Sequence, residues 1–181
     1  MLDRIATPEL AKETGFTAAA YLDPAKLELL PDVRGMCADN RCGQYGKCWS
    51  CPPACGTLEE LGAKLRGYNY GLLLQVTGQM EDSFDIDAME KAERDCNDAL
   101  ERLAQLLRGR CRQVLPLRAG VCQRCKTCTY PDAPCRFPEF LSPSLEACGL
   151  FVSRECERCG LPYYYGPNTI TFVAAVLVSD S

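Results

Sequence analysis

Fourteen of the 181 residues are cysteine and none is histidine. Without an imidazole, the chain cannot use Ser-His-Asp or Cys-His catalysis, a histidine-ligated zinc site or the two-histidine iron triad. A disulfide scaffold, a thiolate-held zinc site and an iron–sulfur site are all compatible with this composition. Any metal that the chain binds must therefore be held mainly by thiolates or carboxylates.

Length and charge narrow the setting of these cysteines. A chain of 181 residues suits one domain, and we expect a single domain over residues 1–181. A formal charge of -4 gives no general attraction to nucleic acid or to an anionic membrane. The first ten residues lack the apolar core of a secretory signal, and the longest apolar run, 170–178, is too short to span a bilayer. We therefore expect a cytoplasmic protein, in which clustered cysteines favour metal binding over disulfides.

Most of the cysteines fall into two stretches, named here the first cysteine loop (residues 37–55) and the second cysteine loop (residues 122–138). Both are interrupted by proline, and the first also by glycine, so neither is a continuous helix or strand. A third set, Cys148, Cys156 and Cys159, follows near a predicted helix. The loops indicate ordered chain wrapped around a bound group.

The stretches around these loops predict an α+β (or α/β) fold. Apolar runs predict four strands, at residues 16–22, 70–76, 114–117 and 169–178. Helices are predicted from the capping box Thr57-x-x-Glu60, from Asp85 to Arg108, and near Ser142. A four-stranded, ferredoxin-like sheet with helices on one face would fit this element count, although the pattern leaves the strand order open.

The run Cys122-x2-Cys125-x2-Cys128 is the strongest chemical signal in the chain. Three closely spaced cysteines followed by a fourth, Cys135, are typical of a loop that wraps a four-iron cluster. The C-x2-C pairs also occur in zinc ribbons, so a zinc site and free thiols are the alternatives. The first cysteine loop has weaker spacing, but its five cysteines are enough for a further metal site.

Three stretches together resemble the family of predicted metal-binding proteins labelled domain of unknown function 2284. They are VRGMCADNRCGQYGKCWSCPP, GVCQRCKTCTYPDAPCRFPEF and SPSLEACGL, and the resemblance extends from about Val33 through the final strand. It implies eight metal-binding thiols: Cys37, Cys42, Cys51, Cys122, Cys125, Cys128, Cys135 and Cys148. The resemblance implies metal binding and leaves the reaction open.

Helix geometry suggests how Cys148 is used. On one unbroken helix, Cys148 and Cys156 would lie roughly 12 Å apart along the axis, too far to share a cluster. We therefore expect Cys148 to join the first-loop ligands Cys37, Cys42 and Cys51, unless Gly149 breaks the helix.

Of the six cysteines outside the implied set, four could form a further site or remain free: Cys48, Cys55, Cys156 and Cys159. We assign Cys96, on the apolar stripe of the long helix, and Cys111, at the entry to a strand, to core packing.

Basic side chains flank both cysteine loops: Arg34, Arg41, Lys47, Arg118, Arg124, Lys126 and Arg136. They either offset the negative charge of bound thiolates or form a solvated surface.

The sequence therefore predicts a protein with two [4Fe-4S] clusters, acting with a redox partner protein in electron transfer or as an accessory or maturation factor for an anaerobic redox enzyme. An enzyme with an open iron in one cluster and a Cys-only zinc-stabilised interaction module are the alternatives. No catalytic side chain is assigned, and a redox carrier fits better than a stand-alone catalyst. No nucleic acid or membrane partner is expected, and the oligomeric state does not follow from the sequence.

Overall fold

Strands and helices alternate along the chain. The computed structural model describes residues 4–180. Within them lie α1 (Pro8–Glu13), β1 (Ala18–Leu22), α2 (Pro31–Ala38), α3 (Leu58–Arg66), β2 (Tyr70–Gln79), α4 (Ile86–Arg108), β3 (Gln113–Leu117), α5 (Val152–Arg158) and β4 (Thr169–Ser179). Two short 3-10 helices, Pro24–Lys26 and Pro138–Phe140, lie in the connections.

The four strands form one antiparallel sheet in the order β1-β2-β4-β3. The predicted α+β class and the four-stranded sheet are confirmed. The helical segments separate every pair of consecutive strands, whereas a ferredoxin-like chain runs β-α-β-β-α-β. Strand β3 is at an edge, where Pro116 is tolerated because one side of the strand needs no ladder hydrogen bonds.

Helices cover both faces of the sheet, so the expectation of helices on one face is wrong. On one face, Leu72 and Leu74 of β2 pack in a hydrophobic cluster with the buried stripe of α4. On the other face, Leu73 packs in a second cluster with Leu65 of α3 and Cys156 of α5. Because neighbouring residues of β2 are buried on opposite faces, the strand is apolar throughout and shows no alternation.

The long helix and the capping box are confirmed. Asp85 caps α4 by accepting a hydrogen bond from the Ala88 amide, and Thr57 and Glu60 form the reciprocal bonds of the capping box. The helix predicted near Ser142 is wrong: Ser144 forms a bridge with Arg118, and tight turns follow. No helix within residues 4–180 combines the length and the apolar character that a membrane crossing requires.

Candidate metal centre

The two cysteine loops contact each other at Trp49. The indole Nε1 of Trp49 donates a hydrogen bond to the carbonyl oxygen of Ala133 at 3.1 Å. Its ring also packs edge-to-face on Tyr130, with ring centroids 4.9 Å apart and an interplanar angle of 88°. The first loop connects α2 to α3 and the second follows β3, so this contact joins chain segments that are distant in sequence.

A cavity of about 740 Å³ lies between the loops, and we call it the second-loop cavity. All four cysteines of the second loop line it, together with one cysteine of the first loop: Cys48, Cys122, Cys125, Cys128 and Cys135. Aromatic side chains complete the wall: Trp49, Tyr130, Phe137 and Phe140. Five cysteines therefore line one concave surface. The spacing of the cysteines did not indicate that Cys48 belongs with the second loop, because distance along the chain does not show which loop a residue approaches.

Side-chain hydrogen bonds hold the second loop in its wrapped shape. Thr129 Oγ1 donates to the Pro134 carbonyl oxygen at 2.8 Å. Arg136 Nη1 donates to the Thr127 carbonyl oxygen at 2.9 Å. Both bonds close the chain between Cys128 and Cys135 and so keep their thiols on the same side of the loop.

Two of the predicted second-loop cations serve the packing around the loop. Arg124 forms an ion pair with Glu101 of α4 at 2.5 Å, and its guanidinium lies 3.7 Å from the centroid of the Phe140 ring. Burial raises the pKa of Glu93, and the charge of Arg118 opposes that rise. These contacts favour a structural role for Arg124 and Arg118 over direct neutralisation of thiolates.

Cys48 and Cys51 form a hydrogen-bonded pair around Ser50. The hydroxyl of Ser50 lies 3.1 Å from Cys48 Sγ and 3.9 Å from Cys51 Sγ. A hydrogen bond from Cys51 lowers the pKa of Cys48, and the same bond raises the pKa of Cys51. Cys48 also lines the second-loop cavity together with Cys128. This pair thus connects the two groups of thiols.

Three other thiols surround Arg34 of α2. Burial raises the pKa of Cys37, of Cys55 and, to about 12, of Cys148, while the guanidinium of Arg34 opposes the rise in each case. Arg34 Nη2 donates to the Gly56 carbonyl oxygen at 2.6 Å, and Nη1 donates to the Ala147 carbonyl oxygen. Of the predicted cations, Arg34 is thus the one that acts directly on first-loop thiols.

Cys42 lies at the solvent-exposed side of this group. Burial is the main cause of the raised pKa of Cys37, and the charge of Cys42 is a smaller cause. The hydrogen bond with Cys48 is the main cause of the raised pKa of Cys51, and the charge of Cys42 is again a smaller one. Cys42 thus acts electrostatically on both of its predicted first-loop partners.

The premise that Cys148 and Cys156 share a helix is wrong. Gly149 adopts a φ of +79°, a conformation that suits glycine, and α5 begins only at Val152. Cys148 lies in the turn before the helix, and both cysteines are completely buried in the hydrophobic cluster beneath α5. Helix geometry therefore does not separate Cys148 from Cys156.

The further site formed by the four additional cysteines stays a prediction. Cys48 lines the second-loop cavity and Cys55 lies beside Arg34. Cys156 accepts a hydrogen bond from Gln75 Nε2 at 3.3 Å. Cys159 lies at the end of α5, and the charge of Cys156 contributes, after burial, to the raised pKa of Cys159. The four thus occupy different surroundings.

Cys96 and Cys111 serve the core, as predicted. Both are buried in the cluster between α4 and the sheet. Cys96 is completely buried, and its thiol lies 3.8 Å from the Phe172 carbonyl oxygen.

The chemistry of the donors fits a thiophilic metal. Thiolates select zinc, copper(I) and iron–sulfur clusters over oxygen-preferring cations. Within residues 4–180, no three or more Cys, Asp or Glu side chains are already arranged so that they could hold a metal ion. The thiols are gathered in two neighbourhoods, and we expect metal loading to require movement of their side chains.

No match was found among curated proteins or among solved structures. A family model does match, over residues 20–178, and its description is predicted metal-binding protein (DUF2284). The matched span includes every cysteine in both neighbourhoods. The resemblance drawn from the three cysteine stretches is thereby confirmed, and the chain belongs to this family of predicted metal-binding proteins.

Proposed function

We propose that this protein carries two [4Fe-4S] clusters in the cytoplasm. In this proposal it transfers electrons to a redox partner protein, or serves as an accessory or maturation factor for an anaerobic redox enzyme. The observation that supports it best is the second-loop cavity, which all four second-loop thiols line. Cys122, Cys125, Cys128 and Cys135 would hold one cluster, and first-loop thiols with Cys148 the other.

The surroundings of the second-loop cavity favour an iron–sulfur cluster over zinc. A structural zinc ion is enclosed tightly by four ligands, whereas this cavity has a volume of about 740 Å³. Its aromatic wall would limit the access of water, which is one of the factors that set a cluster's reduction potential. A cluster bound there would supply one-electron storage.

The contact between the two groups of thiols supports electron transfer. Cys48 lines the second-loop cavity with Cys128, and the hydroxyl of Ser50 connects it to Cys51. Trp49, between them in sequence, packs on Tyr130 of the second loop. Clusters held by these neighbouring groups would be close together, which favours transfer between them over two independent sites.

The size of the cavity favours a second candidate, an enzyme with an open iron. A volume of about 740 Å³ lies within the range of roughly 300–1,000 Å³ that is common for ligand pockets. In such an enzyme a small molecule would bind beside the cluster. A change in one cluster's electron paramagnetic resonance on adding a small molecule would favour the enzyme, and a spectrum that no tested ligand changes would favour the carrier.

Anaerobic purification tests the proposal directly. We expect a brown protein whose visible absorbance bleaches with dithionite and which holds about eight iron and about eight sulfide per chain, as two four-iron clusters require. The variant Cys125→Ser should lower both contents by about half. Cys111→Ser, a core cysteine outside both groups, should leave them unchanged.

A colourless protein that contains stoichiometric zinc would contradict the proposal and favour the zinc-stabilised module. Iron content that is equal in Cys125→Ser and in the unaltered protein would contradict the assignment of the second loop.

A further inference from the structure

Arg34 connects three chain segments, each of which carries a cysteine. It lies on α2 one turn before Cys37, so the two side chains share a face of the helix. Its Nη2 donates to the carbonyl oxygen of Gly56, the residue after Cys55, at 2.6 Å. Its Nη1 donates to the carbonyl oxygen of Ala147, the residue before Cys148. One guanidinium thus links the helix that carries Cys37 to the backbone beside Cys55 and Cys148.

The thiols of these segments are brought together. Cys37 Sγ lies 4.0 Å from the carbonyl oxygen of Glu146, two residues before Cys148. Cys148 is completely buried, and Cys55 packs against the same hydrophobic cluster. Arg34 bonds to the backbone on either side of this cluster, at Gly56 beside Cys55 and at Ala147 beside Cys148. These contacts place Cys55 in the same neighbourhood as Cys37 and Cys148.

Cys51, which the resemblance implies as a ligand, has a different environment. Its thiol lies 3.9 Å from the hydroxyl of Ser50, which also bonds to Cys48, and both Ser50 and Cys48 line the second-loop cavity. Cys148 and Cys55 belong instead to the hydrophobic cluster beneath α5. The backbone between Cys51 and Cys55 turns so that the Cys55 amide bonds to the Cys51 carbonyl oxygen at 3.0 Å. This turn separates the surroundings of the two thiols.

We infer that Cys55 joins Cys37 and Cys148 in the first metal site, in the place expected for Cys51, with Cys42 as the fourth ligand that the resemblance implies, and that Arg34 is the positioning residue of this site. The inference rests on the proposed metal-binding function. The guanidinium cannot be a ligand, because all of its nitrogens are donors. Its two carbonyl bonds hold the thiol-bearing segments in place, and its charge offsets part of the negative charge of four thiolates.

Paired cysteine variants test the ligand set. Cys55→Ser, Cys51→Ser and the control Cys111→Ser are reconstituted anaerobically with iron and sulfide, and metal and sulfide are counted per chain. We expect about a twofold loss in Cys55→Ser and the unaltered content in Cys51→Ser and Cys111→Ser. Far-UV circular dichroism and a retained second-loop cluster signal show that each variant is folded.

The results that would overturn the inference differ in what they say about the function. Unaltered metal content in Cys55→Ser, or a twofold loss in Cys51→Ser, would overturn the ligand set and leave metal binding intact. An unaltered protein that takes up no metal would overturn the proposed function together with the inference.

Variants of Arg34 test its role separately. Loss of a residue that supports metal ligands typically weakens metal binding by 10- to 100-fold, so we expect Arg34→Gln to release first-site metal to a chelator at least about tenfold faster. Arg34→Lys keeps the charge but loses the paired bonds, so its rate of metal release should lie between those of the unaltered protein and Arg34→Gln. Arg34→Gln should also lower the reduction potential of the first site while Arg34→Lys preserves it. Equal potentials in all three proteins would show that the charge of Arg34 does not act on the metal.

Discussion

Among single residues, Gln75 has the greatest effect on how the segment after α5 is placed. It is a completely buried amide in the middle of β2. Its Nε2 donates to the Pro162 carbonyl oxygen at 2.8 Å, and its Oε1 accepts from the Tyr165 hydroxyl at 2.6 Å. The same nitrogen donates to the thiol of Cys156. Gln75 thus attaches the tyrosine-rich turn to the centre of the sheet.

We expect Gln75→Leu to lower the free energy of unfolding by about 1–3 kcal/mol, because the Pro162 carbonyl and the Tyr165 hydroxyl lose the partner of two part-buried hydrogen bonds. Tyr165→Phe should fall in the same range of about 1–3 kcal/mol, since it leaves the buried Gln75 oxygen unpaired. Urea unfolding of the metal-loaded protein measures both. The matched control is Tyr164→Phe, whose side chain is 69% exposed and should change stability by less than about 0.5 kcal/mol. Equal losses in the two tyrosine variants would contradict this account.

Among the structural elements, the pairing of β2 with β4 depends on close backbone approach at Gly71. Gly71 pairs with Leu177 in the register of the two strands. A Cβ atom at Gly71 would lie 2.6 Å from the Val176 carbonyl oxygen and 2.5 Å from a Leu177 methyl carbon. Because one of these atoms is backbone, the strands would have to separate to make room.

We expect Gly71→Ala to destabilise the protein by about 1–3 kcal/mol or more, as overpacking does. Gly35→Ala is the control within a helix: a Cβ there would meet nothing within 4 Å, so this change should stabilise by about 0.5–1 kcal/mol. Thermal unfolding of the two variants side by side measures the difference. Similar melting temperatures would contradict the role assigned to Gly71.

The elements differ in how far the sequence predicts them. The helix α4 was predictable because its apolar residues recur with helical spacing and Asp85 caps it. The faces of the sheet were not, because Leu72, Leu73 and Leu74 are all completely buried and the strand shows no polar side. The helix expected near Ser142 failed because Ser144 bridges to Arg118 and its hydroxyl accepts from the Ala147 amide within a turn.

In the part of the chain that the structure describes, the folded core and the second cysteine loop are largely separate. The two hydrophobic clusters consist mainly of strand and helix residues on either face of the sheet. Most of the second cysteine loop is exposed or only half-buried. The sheet can therefore remain folded when the loops do not.

We expect removal of the metal with a chelator under anaerobic conditions to loosen the loops and leave the sheet intact. Trypsin should then cut first at Arg41, Lys47 and Lys126, while far-UV circular dichroism stays close to that of the loaded protein. The metal-loaded protein, digested in parallel, should resist cleavage at these sites. Loss of the whole circular dichroism signal on chelation would show that metal binding and folding of the sheet are one process.

The site was predictable only in part, because it depends on contacts between segments that are far apart in the chain. The spacing of Cys122, Cys125 and Cys128 indicated one wrapped loop, and all three line one cavity. Spacing carries no information on contacts between loops, so it did not reveal that Cys48 lines the same cavity as Cys128. It also did not show that Cys55 packs against the hydrophobic cluster that contains Cys148.

The contact of Trp49 with both loops gives this protein an internal optical reporter. Trp49 is the one tryptophan of the chain. Its indole is hydrogen-bonded to Ala133 and packed on Tyr130, so its fluorescence arises at the junction of the two cysteine loops. Separation of the loops would expose the indole to water and shift its emission to longer wavelengths. The assembly of the metal-binding region can therefore be followed in real time without a label.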